Sequence, residues 1–191
     1  MIPGFPDRPR PRRDSCHVTT RRLLPPPTPR LSFRELVPDD LDDMAALLGD
    51  PEVMRYYPST RTREESLRWI EAGQRSYAEH GIGLWALTVR ETGEFAGNCG
   101  LTRQPVEGEV FTEVGYLVPP ALQGRGYATE AALACHDLAR DVLKVDRLIS
   151  IIHPDNVPSR RVAGKLGLTL ERTALYYGLP RSIYSTTFGE N

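Results

Sequence analysis

Residues 113–130, EVGYLVPPALQGRGYATE, constrain the possible folds of this chain more than any other stretch. Val114, Tyr116 and Val118 fall on one face of an alternating segment, and Pro119 and Pro120 close it. Residues 127–142 read as a helix, so a strand hands over to a helix through a loop containing Gly124 and Gly126. The first N–H groups of such a helix have no intrahelical acceptor, and the helix dipole adds partial positive charge there. Glycine removes the β-carbon that would hold an anion away from the backbone. The stretch therefore predicts a phosphate-binding turn in an α/β domain.

The flanking sequence supplies the other elements. Residues 31–36 alternate as a first strand. Pro38-Asp39-Asp40 opens a helix whose stripe is Leu41, Met44, Leu47 and Leu48, closed by Gly49-Asp50-Pro51. After an irregular stretch at 52–59, Thr62 and Glu65 form a capping box for a second helix. Leu67, Ile70 and Tyr77 share its face, and Gly81 and Gly83 end it. Strands are predicted at 84–89 and 95–101 around a hairpin turn at 91–94, then at 110–118. The apolar run 146–153 suits an interior strand. A helix follows from about Asn156 to Gly167, and strands 168–177 and 181–188 flank Gly178-Leu179-Pro180. The order β-α-α-β-β-β-α-β-α-β-β describes one mixed α/β domain over residues 31–188, without internal repeats.

Residues 1–30 are rich in Pro and Arg and lack hydrophobic periodicity, which predicts a disordered tail. They hold seven arginines against Asp7 and Asp14, so the net charge of −1 conceals a mildly acidic remainder. That balance disfavours nucleic-acid binding by the folded part and suits amine substrates. Cys16, Cys99 and Cys135 are spaced neither as a disulfide framework nor as zinc ligands, and His17, His80 and His136 show no metal spacing. Cys99, Cys135 and Trp85 fall in apolar patterns that read as core. No apolar run reaches membrane-spanning length and no secretory h-region is present. A reducing cytoplasm is the expected compartment, with no metal and no membrane partner.

Taken together, EVGYLV leading into QGRGYATEA and then HPDNVPSRRVAGKLGL, with TPRLSFREL and DPEVMRYY upstream, resembles the GCN5-related N-acetyltransferase (GNAT) superfamily. Within it, the residues look most like the ribosomal-protein N-terminal acetyltransferase-like branch, over residues 30–187. The resemblance implies a single-domain, partly splayed mixed sheet flanked by about four helices. Acetyl-CoA would lie in the V between the third and fourth long strands. Backbone N–H groups of Gln123, Gly124, Arg125, Gly126, Tyr127 and Ala128 would hold its pyrophosphate, with Thr129 close by. Leu117 and Val118 would pair with the pantetheine amides, Asn156 would hydrogen-bond the same arm, and Ser159 would face the thioester sulfur. The implied reaction is direct acetyl transfer to a primary amine, on a protein N-terminus or a small molecule, in a ternary complex. The other readings are a non-catalytic acyl-CoA-binding module and a transferase for another acyl-CoA. A monomer or a homodimer is compatible with the sequence. A dinucleotide reading of Gly124-x-Gly126 lacks its βαβ unit.

Amine acylation requires a neutral amine, whereas a lysine-type ammonium has a pKa near ~10.4 and an α-amine one near ~8. Glu113 is the candidate base, on the strand beside the expected cleft. Many members of the superfamily carry a proton-donating Tyr seven residues after the position of Asn156, and here that position is Ala163. Ser159 is the leading substitute donor and Tyr184 the second. His153 falls near the cleft, and Arg55, Tyr56 and Tyr57 fall where the family shapes its acceptor pocket.

Overall fold

The computed structural model describes residues 22–189. Its elements are β1 (Leu31–Arg34), α1 (Leu41–Gly49), α2 (Arg63–His80), β2 (Leu84–Val89), β3 (Phe95–Val106), β4 (Glu109–Leu117), α3 (Tyr127–Asp141), β5 (Arg147–Ile152), α4 (Val157–Lys165), β6 (Thr169–Tyr176) and β7 (Leu179–Thr187). The order is the one read from the sequence, and short 3-10 turns precede α1 and α3. The local signals act as expected. Thr62 Oγ1 accepts from Glu65 N at 3.2 Å while Glu65 Oε2 accepts from Thr62 N at 2.8 Å, satisfying two exposed donors of α2. Gly81 closes that helix in the left-handed region at φ 73°.

The sheet runs β1-β2-β3-β4-β5-β7-β6. All neighbours are antiparallel except β4 and β5, which are parallel and share only Thr112↔Leu148 and Glu113↔Ile149. Beyond Glu113 the two strands part, β4 staying with β3 to Leu117 and β5 staying with β7 to Ile152. The sheet is thereby splayed into a V. The β1–β4 arm is packed on both faces. Met44, Leu48 and Ile70 of α1 and α2 pack with Leu84, Ala86 and Leu117, whereas Ala131, Cys135 and Leu138 of α3 pack with Leu87, Cys99, Leu101 and Val114.

Three expectations need correction. β3 runs to Val106 instead of stopping at Leu101. Pro105 is tolerated because β2 reaches only Gly100, so the rest of β3 has no β2 neighbour to bond. The last hairpin turns at Tyr177 and Gly178, both at positive φ (49° and 75°), which leaves Leu179 and Pro180 in β7. The expected tail also reaches into the packed structure: Leu23 N donates to Gly81 O at 2.8 Å, and Thr28 and Arg30 bond Glu130 of α3. Residues 1–21, and Cys16 with them, lie outside the described residues. The outer strand β6 exposes Leu170 and Leu175.

Gly100 is where β3 and the start of β2 come closest. An added Cβ would stand 1.9 Å from Gly83 O, a main-chain atom that also accepts from Leu101 N. Gly100→Ala is expected to destabilise the domain by roughly 1–3 kcal/mol, because backbone must move. Urea unfolding measures it, and an unchanged midpoint would contradict this packing.

Candidate active site

A cleft of about 580 Å³ opens where β4 and β5 separate. Glu113, Leu117, Val118, Gln123, Gly124, Gly126, Tyr127, Ala128, Thr129, Asn156 and Ser159 all line it, so the fold brings these predicted residues together. Arg125 and Tyr184 do not line it. Arg125 is exposed and offers its carbonyl oxygen to Arg30. Tyr184 is packed into the core, and its hydroxyl accepts from Arg160 Nε at 2.9 Å. That side chain belongs to the packing of β7, not to the cleft, so Tyr184 is withdrawn as a proton donor.

One end of the cleft is the glycine loop. The N–H groups of residues 124–129 make no hydrogen bond among the described residues, as expected for a loop entering the first turn of α3. Gly126 is the N-cap at φ 85°, a conformation that favours glycine. Gln123 departs from expectation. Its N–H donates to Pro120 O at 3.1 Å and its Nε2 to Val118 O at 3.0 Å, so it fastens the loop to the end of β4 and offers no free N–H. A second fastening comes from the chain before β1. Glu130 accepts from Thr28 Oγ1 at 2.6 Å, Arg30 N at 2.9 Å and Arg30 Nε at 2.6 Å. Burial opposes charge on Glu130, but these bonds and the Arg30 charge hold its carboxyl below the usual range. Arg30 also donates to Arg125 O at 2.9 Å and lies 4.7 Å from the Tyr127 ring centroid. Free N–H groups in a loop opened by Gly124 and Gly126, beside the strand-free edge of β4, fit the diphosphate and amide arm of coenzyme A.

Asn156 caps α4, its Oδ1 accepting from Ser159 N at 3.1 Å. Ser159 is thus the capped residue, and its side chain is hydrogen-bonded with Tyr116. Beside it, Tyr116 donates its hydroxyl proton to Ser159 O at 3.3 Å. Burial raises the Tyr116 pKa, so the phenol stays protonated. Ala163 is buried in the α3-side core.

Glu113 stands at the apex of the V, where the β4–β5 pairing ends. Thr102 Oγ1 donates to its Oε2 at 3.1 Å, Ile151 N to its Oε1 at 3.4 Å, and Gln104 bonds the carboxylate as well. Burial outweighs these bonds and pushes the carboxyl up to about 7. Tyr176 in turn donates to Gln104 Oε1 at 2.6 Å. Around this carboxyl, Arg55, Tyr56, Tyr57, Trp69, Tyr177, His153 and Arg181 complete the wall, with the Tyr56 and His153 rings 5.3 Å apart. Glu113 and Tyr116 are three residues apart on one strand and so face opposite sides of the sheet. A carboxylate thus looks in from one side and two hydroxyls from the other, and the gap between β4 and β5 joins them.

Thr102, Gln104, Tyr116, Tyr176 and Arg181 were missed from the sequence. For the first two a signal existed: Asn98, Thr102 and Gln104 recur at even spacing, a polar row on a strand face. Ending β3 at Leu101 concealed it. Among the described residues no group of His, Cys, Asp or Glu could hold a metal ion. None of the described helices is long and apolar enough to cross a membrane.

Comparisons with known proteins agree with this geometry. The sequence model of a family described as acetyltransferase (GNAT) domain matches residues 30–169. The uncharacterized protein YkkB of Bacillus subtilis (strain 168) is 34% identical over 146 residues, which is 74% of this chain and 85% of that protein. The crystal structure of an acetyltransferase from Agrobacterium tumefaciens str. C58 superposes with a TM-score of 0.75 at 26% identity, covering 91% of this chain and 98% of that one. RimL, a ribosomal L7/L12 alpha-N-protein acetyltransferase solved with coenzyme A, has the same fold, with a TM-score of 0.69 at 16% identity over 87% of this chain and 98% of that one.

The Glu113 carboxyl has a stability consequence. Its folded-state pKa of about 7 lies above the ordinary 4.5, so folding favours the protonated form. That contribution is complete below pH 4.5 and is lost as the pH rises through about 7. Glu113→Gln keeps one carbonyl oxygen for the Ile151 N–H, turns its NH2 group to the Thr102 hydroxyl, and cannot ionise. The variant should gain on the wild type by roughly 1–3 kcal/mol between pH 5 and pH 8. Thermal unfolding at the two pH values reads this, and a difference independent of pH would contradict it.

Proposed function

The chain belongs to the acetyltransferase (GNAT) family, whose members are acyl-CoA-dependent enzymes, and on that premise we propose that it transfers the acetyl group of acetyl-CoA directly to a primary amine bound in the same cleft. The observation that carries this reading is the placement of Glu113, a carboxyl with a pKa of about 7 on the acceptor side of the V. A base poised there can take the proton of an ammonium group at neutral pH, directly or through a water. The thioester supplies the activated acyl group.

The other roles follow from position. Free N–H groups of residues 124–129 hold the diphosphate, and the edge of β4 at Leu117 and Val118 aligns the amide arm. Asn156 fixes the first turn of α4 and so the place of Ser159. Ser159 and Tyr116 form the pair from which the departing thiolate regains a proton, in place of a tyrosine at Ala163. An acceptor entering past Arg55, Tyr56 and Tyr57 and a donor entering past the glycine loop approach from different sides, which supports a ternary complex without an acyl-enzyme. Cys99 and Cys135 are fully buried and unsuited to carrying an acyl group.

Free-thiol release from acetyl-CoA over a panel of amines tests the reaction itself, and no release with any amine would overturn it. In such an assay kcat/KM should rise with pH through about 7, and Glu113→Gln should lose roughly 10²–10⁴-fold in kcat and flatten that rise. Gly126→Asp should raise the acetyl-CoA KM more than Gly126→Ala. Both carry the positive-φ strain, but only the aspartate adds negative charge to the diphosphate cradle. Equal KM values for the two would remove the phosphates from that loop. Ser159→Ala and Tyr116→Phe should each lower kcat with little effect on acetyl-CoA KM. A wild-type kcat in both would exclude the pair as the proton source.

A further inference from the structure

The acceptor half of the cleft has an uneven set of charges. Arg181 lines it, half-buried, and its guanidinium reaches only carbonyl oxygens, those of Pro180 at 3.0 Å and Tyr56 at 3.4 Å. No ion pair involves it among the described residues, and burial lowers its pKa. Behind Tyr57 lies a second such cation. Arg61 is 8% exposed, its Nη1 donates to Ser59 Oγ at 3.3 Å, and its Nε and Nη2 make no hydrogen bond among the described residues. The charges of Arg181, Arg61 and Glu113 all act on the Tyr57 hydroxyl, and those of Arg181 and Glu113 also act on that of Tyr176. These groups therefore share one neighbourhood. Yet Glu113 and Arg181 do not pair with each other; its polar partners are Thr102, Gln104 and the Ile151 N–H.

A desolvated arginine without an anionic partner is costly, and its planar fork matches a carboxylate. A polycationic acceptor would need acidic walls, but among the described residues Glu52 and Glu113 are the only carboxylates lining the cleft, against Arg55 and Arg181 on the same side. Tyr56, Tyr57, Tyr176 and Tyr177 offer flat apolar surface between the acid and the base.

We propose that the acceptor is a small amine that carries its own carboxylate, an amino-acid-like molecule with an apolar or aromatic body, whose amine meets Glu113 and whose carboxylate is held by Arg181. This rests on the acetyl-transfer reading above and narrows it. Arg61 reinforces the positive potential from behind Tyr57, and the tyrosines clasp the body of the acceptor. A polyamine finds no counter-charges here, and the uncharged carbonyl that follows a protein N-terminus leaves Arg181 unpaired.

The test compares matched acceptors with the full-length protein and acetyl-CoA. These are an aromatic amino acid such as phenylalanine, its carboxamide, and phenethylamine, which lacks the group altogether. The carboxamide has the more readily neutral amine, so a preference for the acid cannot come from amine reactivity. The wild type should favour the acid by roughly ten- to a hundredfold in kcat/KM, the range of one charge-assisted hydrogen bond. Arg181→Gln should bring that ratio close to one through the acceptor KM while the acetyl-CoA KM stays the same, and Arg181→Lys should restore part of it. Equal or better use of the carboxamide by the wild type, or an acid preference that survives Arg181→Gln, overturns the acceptor assignment and leaves acetyl transfer standing. Absence of thiol release with all three acceptors and with simple alkyl amines overturns both.

Discussion

The site depends on how briefly β4 and β5 touch. Two adjacent parallel strands bonded along their length would close the sheet and leave no cleft. Here the contact ends after Thr112↔Leu148 and Glu113↔Ile149. Alternate residues of β4 serve different cores, Leu117 the α1–α2 cluster and Val114 and Val118 the cluster around α3, which also holds Leu148 and Ile152 of β5. Backbone groups on the exposed edge of β4 are left without a strand partner, which is normally a liability. In this fold it is a template for a ligand with amide groups of its own.

The parting also decides the chemistry of Glu113. At the last bonded pair its carboxyl lines the cleft and is only partly exposed. Three donors orient it, and none brings a full positive charge near enough to keep it ionised at low pH. A carboxyl that titrates near neutrality is less favourable for folding than an amide of the same shape. The same property suits it to the proton exchange proposed above. Stability and reactivity pull in opposite directions at this one side chain.

Much of this was legible in the sequence. The Thr62–Glu65 box, Gly81, the Met44–Leu48 stripe and the strand-to-loop-to-helix run at 113–130 are short-range patterns with short-range causes, and each produced the element it announced. Glu113, Asn156 and Ser159 could be placed at the cleft because their motifs fix them relative to the loop. What local pattern could not supply was pairing across the chain. Tyr184 looks equivalent to Tyr176 by alternation, yet Arg160 claims the hydroxyl of one and Gln104 bonds that of the other. Cys99 and Cys135, 36 residues apart, meet with their sulfurs at 3.7 Å only because α3 packs across β3. Pro105 reads as a strand breaker unless it is known that β2 has already ended.

The bonds from Thr28 and Arg30 to Glu130 join positions a hundred residues apart at the threshold of α3. With Gln123 bonded to Pro120 and Val118, they hold the glycine loop on both sides. The conformational entropy of that loop is therefore surrendered when β1 docks, during folding and not during ligand capture. In the proposed reading a diphosphate meets donors already in place there, so little of its binding free energy goes into ordering the protein. Residues 22–30, read as part of a tail, thus brace the loop proposed to hold the diphosphate without lining the cleft themselves.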